Sequence, residues 1–247
     1  MTKFFISPPF GNYLDLKECI SVKGSFTLEP KNHSLVIKII TTLRYDFFKN
    51  GWVNKIGLVN PGIDYAIKKY INNKNCIISV AILEKNEVAK LEKKIPKNMN
   101  LELNISCPNV DKLNCEWNLK CDNLKLFLNE ERKWTIVKIS PFSDMSLIDY
   151  YSNQGFRQFH CSNTVPIFKY GGLSGPKVKE FNEHLIPQIR KKYKDIEIIA
   201  GGGIRDKDDI YKYQSLGANH FSFSTVIFNP YKFYNLYFNL EHIKYIV

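Results

Sequence analysis

Short runs of apolar, often β-branched residues alternate with longer amphipathic stretches along nearly the whole chain, the order expected when parallel strands are joined by helices. Eight runs read as strands: Cys19 to Val22, Val53 to Gly57, Ile77 to Ile82, Leu101 to Ile105, Thr135 to Ile139, Gln158 to Cys161, Ile196 to Ala200 and Phe221 to Phe223. Between them the pattern predicts helices over Asp64 to Asn73, Glu84 to Lys94, Asn118 to Glu130, Ser146 to Gln154, Lys177 to Lys192 and Lys207 to Leu216, several opened by Asp, Ser or Pro. Such a series closes into a barrel or lies open as a doubly wound sheet, and periodicity alone does not separate the two. No internal repeat or low-complexity linker divides the chain, so one domain over residues 1–247 is expected.

Composition narrows the classes. A chain of 247 residues has the usual length of one (β/α)8 barrel, and 44% hydrophobic with 24% charged residues is ordinary for a globular protein. The net charge of +11 permits a polyanionic partner. The lysines, however, concentrate in helix-like stretches such as KNEVAKLEKKIPK (85–97) and PQIRKKYKD (187–195), where a solvated outer face is the simpler reading, so nucleic acid is not expected. Six cysteines occur without a CxxC pair or a zinc-type Cys/His spacing, which points to a reduced, cytoplasmic compartment and no metal. The five histidines show no metal or triad spacing and read as structural or surface residues. The N-terminal apolar run is three residues long, too short for the core of a signal peptide, and SLVIKIITTL (34–43) is interrupted by Lys38, far short of a membrane span. Neither export nor a membrane anchor is expected.

The most informative segment is LELNISCPNV (101–110), in which a strand runs into a loop opened by cysteine and proline. Its Asn, apolar, Ser, Cys, Pro, Asn order resembles the signature of the dihydroorotate dehydrogenases, of the soluble class that uses a cysteine base. Further segments follow in that family's order: VNKIGLVNPGIDY (53–65), VKISP (137–141), CSNTV (161–165), GGLSGP (171–176), GGGI (201–204) and FST (223–225). The resemblance runs from Ser7 to about Asn229. It implies an FMN-dependent (β/α)8 TIM barrel that oxidises dihydroorotate to orotate in pyrimidine synthesis.

By that resemblance Cys107 is the general base, taking a proton from carbon 5 of dihydroorotate while hydride leaves carbon 6 for flavin N5. Asn54, Asn104, Asn109 and Asn163 converge on the planar substrate, since an amide offers donors and an acceptor to ring carbonyls and N–H groups without adding charge. Gly57 and Leu58 shape its pocket, and Thr164 joins Asn163 in substrate and flavin contacts. Lys23 stands for the family lysine near both flavin and substrate, and Asn104 touches both. Lys138, inside an apolar strand where an unpaired ammonium would be costly, meets the N1 and O2 edge of the flavin. Ser7 belongs to the N-terminal flavin loop, and Gly175, Gly202, Gly203, Ser224 and Thr225 to the loops around the FMN phosphate.

The chain departs from the family pattern in places. Pro8 stands where glycine is expected, Ser224 replaces a glycine of the last loop, PKNHS (30–34) replaces a Gly-Asn step, and the segment after Cys107 is compressed. Two other readings stay open: another FMN barrel such as a dihydrouridine synthase acting on tRNA, and a degenerate barrel that binds flavin or a partner without catalysis. The expected partners are dihydroorotate and an electron acceptor, with a homodimer using a soluble acceptor preferred and an electron-transfer subunit as the alternative. With no ferredoxin-type cysteine run in this chain, an iron–sulfur cluster would come from that subunit.

Overall fold

A computed structural model describes residues 1–31, 34–106, 119–167 and 171–246. Twelve strands occur among them: β1 (Phe4–Ile6), β2 (Cys19–Phe26), β3 (Arg44–Asp46), β4 (Gly51–Asn54), β5 (Cys76–Ala81), β6 (Leu101–Asn104), β7 (Thr135–Lys138), β8 (Gln158–Cys161), β9 (Val165–Ile167), β10 (Gly171–Ser174), β11 (Glu197–Gly201) and β12 (His220–Phe223). The helices are α1 (Leu35–Thr42), α2 (Ile63–Tyr70), α3 (Val88–Lys94), α4 (Met145–Asn153), α5 (Val178–Lys192), α6 (Lys207–Ser215) and α7 (Pro230–Ile246). Eight strands close a parallel barrel in the order β1, β2, β5, β6, β7, β8, β11, β12 and back to β1. The other four form a separate antiparallel sheet, β3-β4-β10-β9.

The barrel is therefore the (β/α)8 fold that the motifs implied, but one strand differs from the sequence reading. Val53 to Gly57 supplies no barrel stave: Val53 and Asn54 end β4, which pairs antiparallel with β3 and β10. The vacant place is filled by Phe4–Ile6, whose three side chains are all buried and which pairs β2 on one side and β12 on the other. A three-residue strand is below the length at which alternation can be read, and only closure of the ring gives it partners. The expected helix from Asn118 to Glu130 is also corrected. Asn118 lies outside the described residues, and Asp122–Phe127 forms a 3-10 helix that buries Leu124 and Phe127 at a three-residue spacing.

Alternation along the barrel strands sorts side chains into two apolar layers. Outward residues such as Ile78, Val80, Leu103, Val137, Phe159, Ile198 and Phe221 pack with Ile63, Leu91, Ile148, Ile186 and Ile210 of the helices. Inward residues Phe5, Val22, Ile77, Trp134, Ile136 and Ile199 plug the N-terminal half of the barrel, with the Phe5 and Trp134 rings edge to face at 5.3 Å. Below the plug, Thr2, Asp15, Cys19, Asn100 and Lys133 line an open depression at the N-terminal end.

If Phe5 plugs the ring, truncating it leaves a cavity that its stiff neighbours cannot fill. Phe5→Ala should lower the unfolding free energy by about 3–5 kcal/mol, measured as a shift of the urea midpoint at unchanged slope.

Candidate active site at the C-terminal mouth of the barrel

Above the apolar plug the inward positions turn polar. Ser79 on β5, Glu102 on β6, Lys138 on β7 and His160 on β8 are all buried inside the barrel. Glu102 accepts hydrogen bonds from Ser79 Oγ (2.8 Å) and Lys138 Nζ (3.4 Å) through Oε1, and Oε2 lies 2.6 Å from His160 Nδ1. Burial alone would push the Glu102 carboxyl up, but the Lys138 ammonium and the His160 and Ser79 donors outweigh it and hold the group at about 2, against an ordinary 4.5. Burial and the neighbouring Lys138 charge push the His160 imidazolium the other way, below its ordinary value. The ring is thus neutral, with Nδ1–H donating to an ionised Glu102.

One step closer to the mouth, amides take over. Asn104 Nδ2 donates to Ser25 Oγ (3.1 Å), and its Oδ1 accepts from Asn163 Nδ2 (3.2 Å) and the Ser106 N–H (3.3 Å). Asn163 Nδ2 also reaches the Ser106 carbonyl at 3.0 Å, and its Oδ1 accepts from the Thr164 N–H at 2.9 Å. Ser106 is tied further by donating its hydroxyl to the Lys138 carbonyl (3.2 Å). Thr164 is the exception in this network: its Oγ1 is buried and has no hydrogen-bond partner among the described residues. A buried hydroxyl without a partner costs free energy unless a ligand supplies one.

Glycine loops complete the mouth. Gly175, Gly202 and Gly203 all have positive φ (126°, 84° and 80°). A Cβ at Gly203 would come within 3.1 Å of the Gly175 carbonyl, and one at Gly202 would collide with Val178, the first residue of α5. Two bare backbone loops and a helix N-terminus therefore meet, a cradle suited to a phosphate. Beside it, Ser7 joins Ser222 through their hydroxyls at 2.6 Å, Ser224 Oγ donates to the Pro8 carbonyl at 3.4 Å, and Thr225 opens a 3-10 helix.

Other residues singled out in the sequence fall elsewhere. Asn54 ends β4 opposite Gly172 of β10, and β10 pairs β9, which starts directly after Thr164, so the antiparallel sheet connects Asn54 to the mouth. Gly57 has φ of 78°, and the Leu58 carbonyl accepts from Asn60 Nδ2 at 2.6 Å. Asn60 itself anchors the loop, since its Oδ1 accepts from the Thr27 and Gly62 N–H groups. Lys23 is not brought to the mouth. It alternates with the inward Val22, faces α2 with its ammonium 5.9 Å from the Tyr70 ring, and pairs at 2.7 Å with Asp15, a residue of the opposite, N-terminal depression. Cys107 and Asn109 lie outside the described residues. The sequence gives His160 only a structural or surface role and assigns none to Glu102 or Ser79, although an acid between two leucines of a buried strand is a readable signal of an internal partner.

Among the described thiols, burial pushes Cys76 up to about 11 and Cys19 and Cys161 to about 12, which leaves these three protonated at neutral pH. The mouth combines a buried ammonium, an amide cluster and a glycine cradle, the equipment of a barrel enzyme that holds a planar, phosphorylated ligand. The comparisons make the class specific. The profile of the dihydroorotate dehydrogenase family matches residues 41–242. A relative from Desulforamulus reducens is 29% identical over 252 aligned residues, covering 90% of this chain and 80% of its own. One from Malacoplasma penetrans is 31% identical, covering 74% and 68%. Both are named dihydroorotate dehydrogenase B (NAD(+)), catalytic subunit. A crystal structure of the Eimeria tenella dihydroorotate dehydrogenase with ferulenol superposes with a TM-score of 0.64 at 18% identity, over 83% of this chain and 69% of that one, and shows the same fold. The chain belongs to the dihydroorotate dehydrogenase family of oxidoreductases.

Two outcomes follow for the ligand-free protein. Thr164→Val removes a hydroxyl without a partner, so stability should stay level or rise by about 1 kcal/mol, as read by urea unfolding. Because the folded Glu102 carboxyl sits below its ordinary 4.5, its contribution is present above that pH and is lost as pH falls toward about 2. A depression of that size amounts to about 3 kcal/mol, and Glu102→Gln should remove that part of the acid sensitivity in unfolding curves taken between pH 6 and pH 3.

Proposed function

We propose that this protein oxidises dihydroorotate to orotate in de novo pyrimidine synthesis, with FMN bound at the mouth of the barrel. The observation that carries this reading is Lys138. Its buried ammonium has one contact among the described residues, the 3.4 Å approach to Glu102, and it shares the mouth with Asn104, Asn163 and the unpartnered Thr164 hydroxyl. A desolvated cation so loosely held is complementary to the electron-rich edge of a flavin.

FMN, when bound, supplies the acceptor for the hydride that leaves carbon 6 of the substrate. The chain's residues do the rest. Gly175, Gly202, Gly203, Ser224 and Thr225, with Ser7 beside them, hold the phosphate and its tail by backbone N–H and hydroxyl groups. Asn104, Asn163 and Asn54 meet the ring carbonyls and N–H groups of the substrate, joined by Asn109, while Thr164 donates its free hydroxyl and Gly57 and Leu58 close the side wall. Cys107 takes the proton from carbon 5. It follows, in sequence, Ser106, which is fixed by Asn104, Asn163 and the Lys138 carbonyl. Lys23, held by Asp15, has no part in this proposal.

The relatives are named catalytic subunits of an NAD(+) enzyme, and of the two acceptor routes we propose the one through a partner subunit to NAD, with a homodimeric catalytic core in the cytoplasm. Among the described residues no helix is long and apolar enough to cross a membrane.

Anaerobic titration of the FMN-loaded protein with dihydroorotate, followed by flavin absorbance, tests the reading. Stoichiometric bleaching is expected, and Cys107→Ser should slow it by about 10²–10⁴-fold, the usual contribution of a general base. Bound flavin that dihydroorotate does not bleach would refute the substrate assignment.

A further inference from the structure

We propose that Glu102 and His160 are a positioning pair that sets how much of the Lys138 charge is presented at the mouth. The proposal deepens the FMN reading and rests on it.

The argument starts from the length of the Lys138–Glu102 contact. Several exposed or half-exposed lysine pairs of this protein close to 2.7 Å, as in Lys192–Asp149 and Lys94–Asp64, although Lys244–Glu18 stays at 3.3 Å. Inside the barrel, where attraction is least screened, Lys138 stands back at 3.4 Å. The register explains the geometry. Glu102 pairs with Ile136, one step deeper than Lys138, while Lys138 is level with both Asn104 and His160. The carboxylate is thus approached from the mouth side by two side chains, and the shorter bond goes to the imidazole at 2.6 Å, with Ser79 taking the other oxygen at 2.8 Å. The lysine is left with a counter-charge that engages its N–H groups through one long hydrogen bond of 3.4 Å.

His160 cannot relax away from this task. Its ring lies against Gly201, where any Cβ would run into Nε2, and Gly201 opens the glycine loop of the phosphate cradle. The same ring therefore touches the element that places the phosphate and the acid that restrains the lysine. Apart from Glu102 and Lys138, the inward residues around it among those described are uncharged: Ser79 on β5, Gly201 on β11 and Ser222 on β12, all buried. Among the described residues, one carboxylate and one ammonium make up the charge of this layer.

Opposite signs follow for two substitutions. Glu102→Gln removes the compensating charge, so the ratio of reduced to oxidised FMN affinity should rise at least tenfold, about 30 mV in the positive direction for a two-electron couple. His160→Leu strips the donor from Oε2 and lets the carboxylate draw Lys138 inward, so the same ratio should fall and the potential move the negative way. His160→Gln, which keeps an N–H donor, should return toward the parent, and Ser79→Ala offers a milder loss of a donor in the direction of His160→Leu. The test is potentiometry of the FMN-loaded proteins, with FMN affinity by fluorescence and nitrogen NMR of the histidines in the flavin-free parent. The NMR should report a neutral His160 ring protonated on Nδ1 at pH 7. Shifts of equal sign in Glu102→Gln and His160→Leu, unchanged potentials, or an imidazolium in the parent would overturn the pairing while leaving the FMN reading intact. A parent that takes up no FMN would overturn both, and is told apart by the absent flavin spectrum.

Discussion

Everything at the mouth depends on one constraint, that an inward-pointing side chain of a closed eight-strand barrel has no water to turn to. In the lower half the constraint is met by apolar bulk from Phe5, Val22, Ile77, Trp134, Ile136 and Ile199. Above them it is met by pairing, since Glu102, Lys138, His160 and Ser79 satisfy one another within the ring. Removing one member of such a set leaves a buried charge or donor alone, which is far more damaging than the loss of a surface pair. The polar layer is therefore rigid by necessity, and the amides that touch the substrate in the proposed reaction are built directly on it.

The rim shows how rigidity is handed outward. Asn104 joins Ser25, Ser106 and Asn163, and Asn163 in turn fixes Thr164, so the C-terminal ends of three strands, β2, β6 and β8, are tied through two amides. From Thr164 the chain enters the antiparallel sheet β9-β10-β4-β3, and β10 runs on into Gly175 of the cradle. One connected framework thus spans the proposed substrate contacts and the proposed phosphate site, which is what preorganised binding requires.

The two lysines separate what a residue type suggests from what its side of a strand permits. Lys23 and Lys138 both sit in barrel strands and both are buried. Lys138 follows Ile136 by two on the inward side and reaches the mouth, whereas Lys23 is one residue from the inward Val22 and is turned toward α2 and Asp15. A shift of one residue reverses the face, so a motif match that is off by a single position relocates an ammonium from a site to a wall.

Much of the fold was readable beforehand for physical reasons. Buried strands announce themselves as apolar runs, often β-branched, and seven of the eight staves, β2, β5, β6, β7, β8, β11 and β12, fall on the runs read as strands. The glycine loops and the Asn104–Ser106 stretch were legible through their resemblance to the family's motifs, in which glycine lets the backbone approach a phosphate. What the chain alone could not show is anything that depends on closure. Phe4–Ile6 becomes a strand only because β2 and β12 flank it, Val53–Asn54 leaves the ring once that place is taken, and Glu102 and His160, 58 residues apart, meet only when β6, β7 and β8 lie side by side. Local pattern determined which segments are strands and helices and which loops are bare; the ring, by deciding who faces inward beside whom, determined which charges must share one desolvated space.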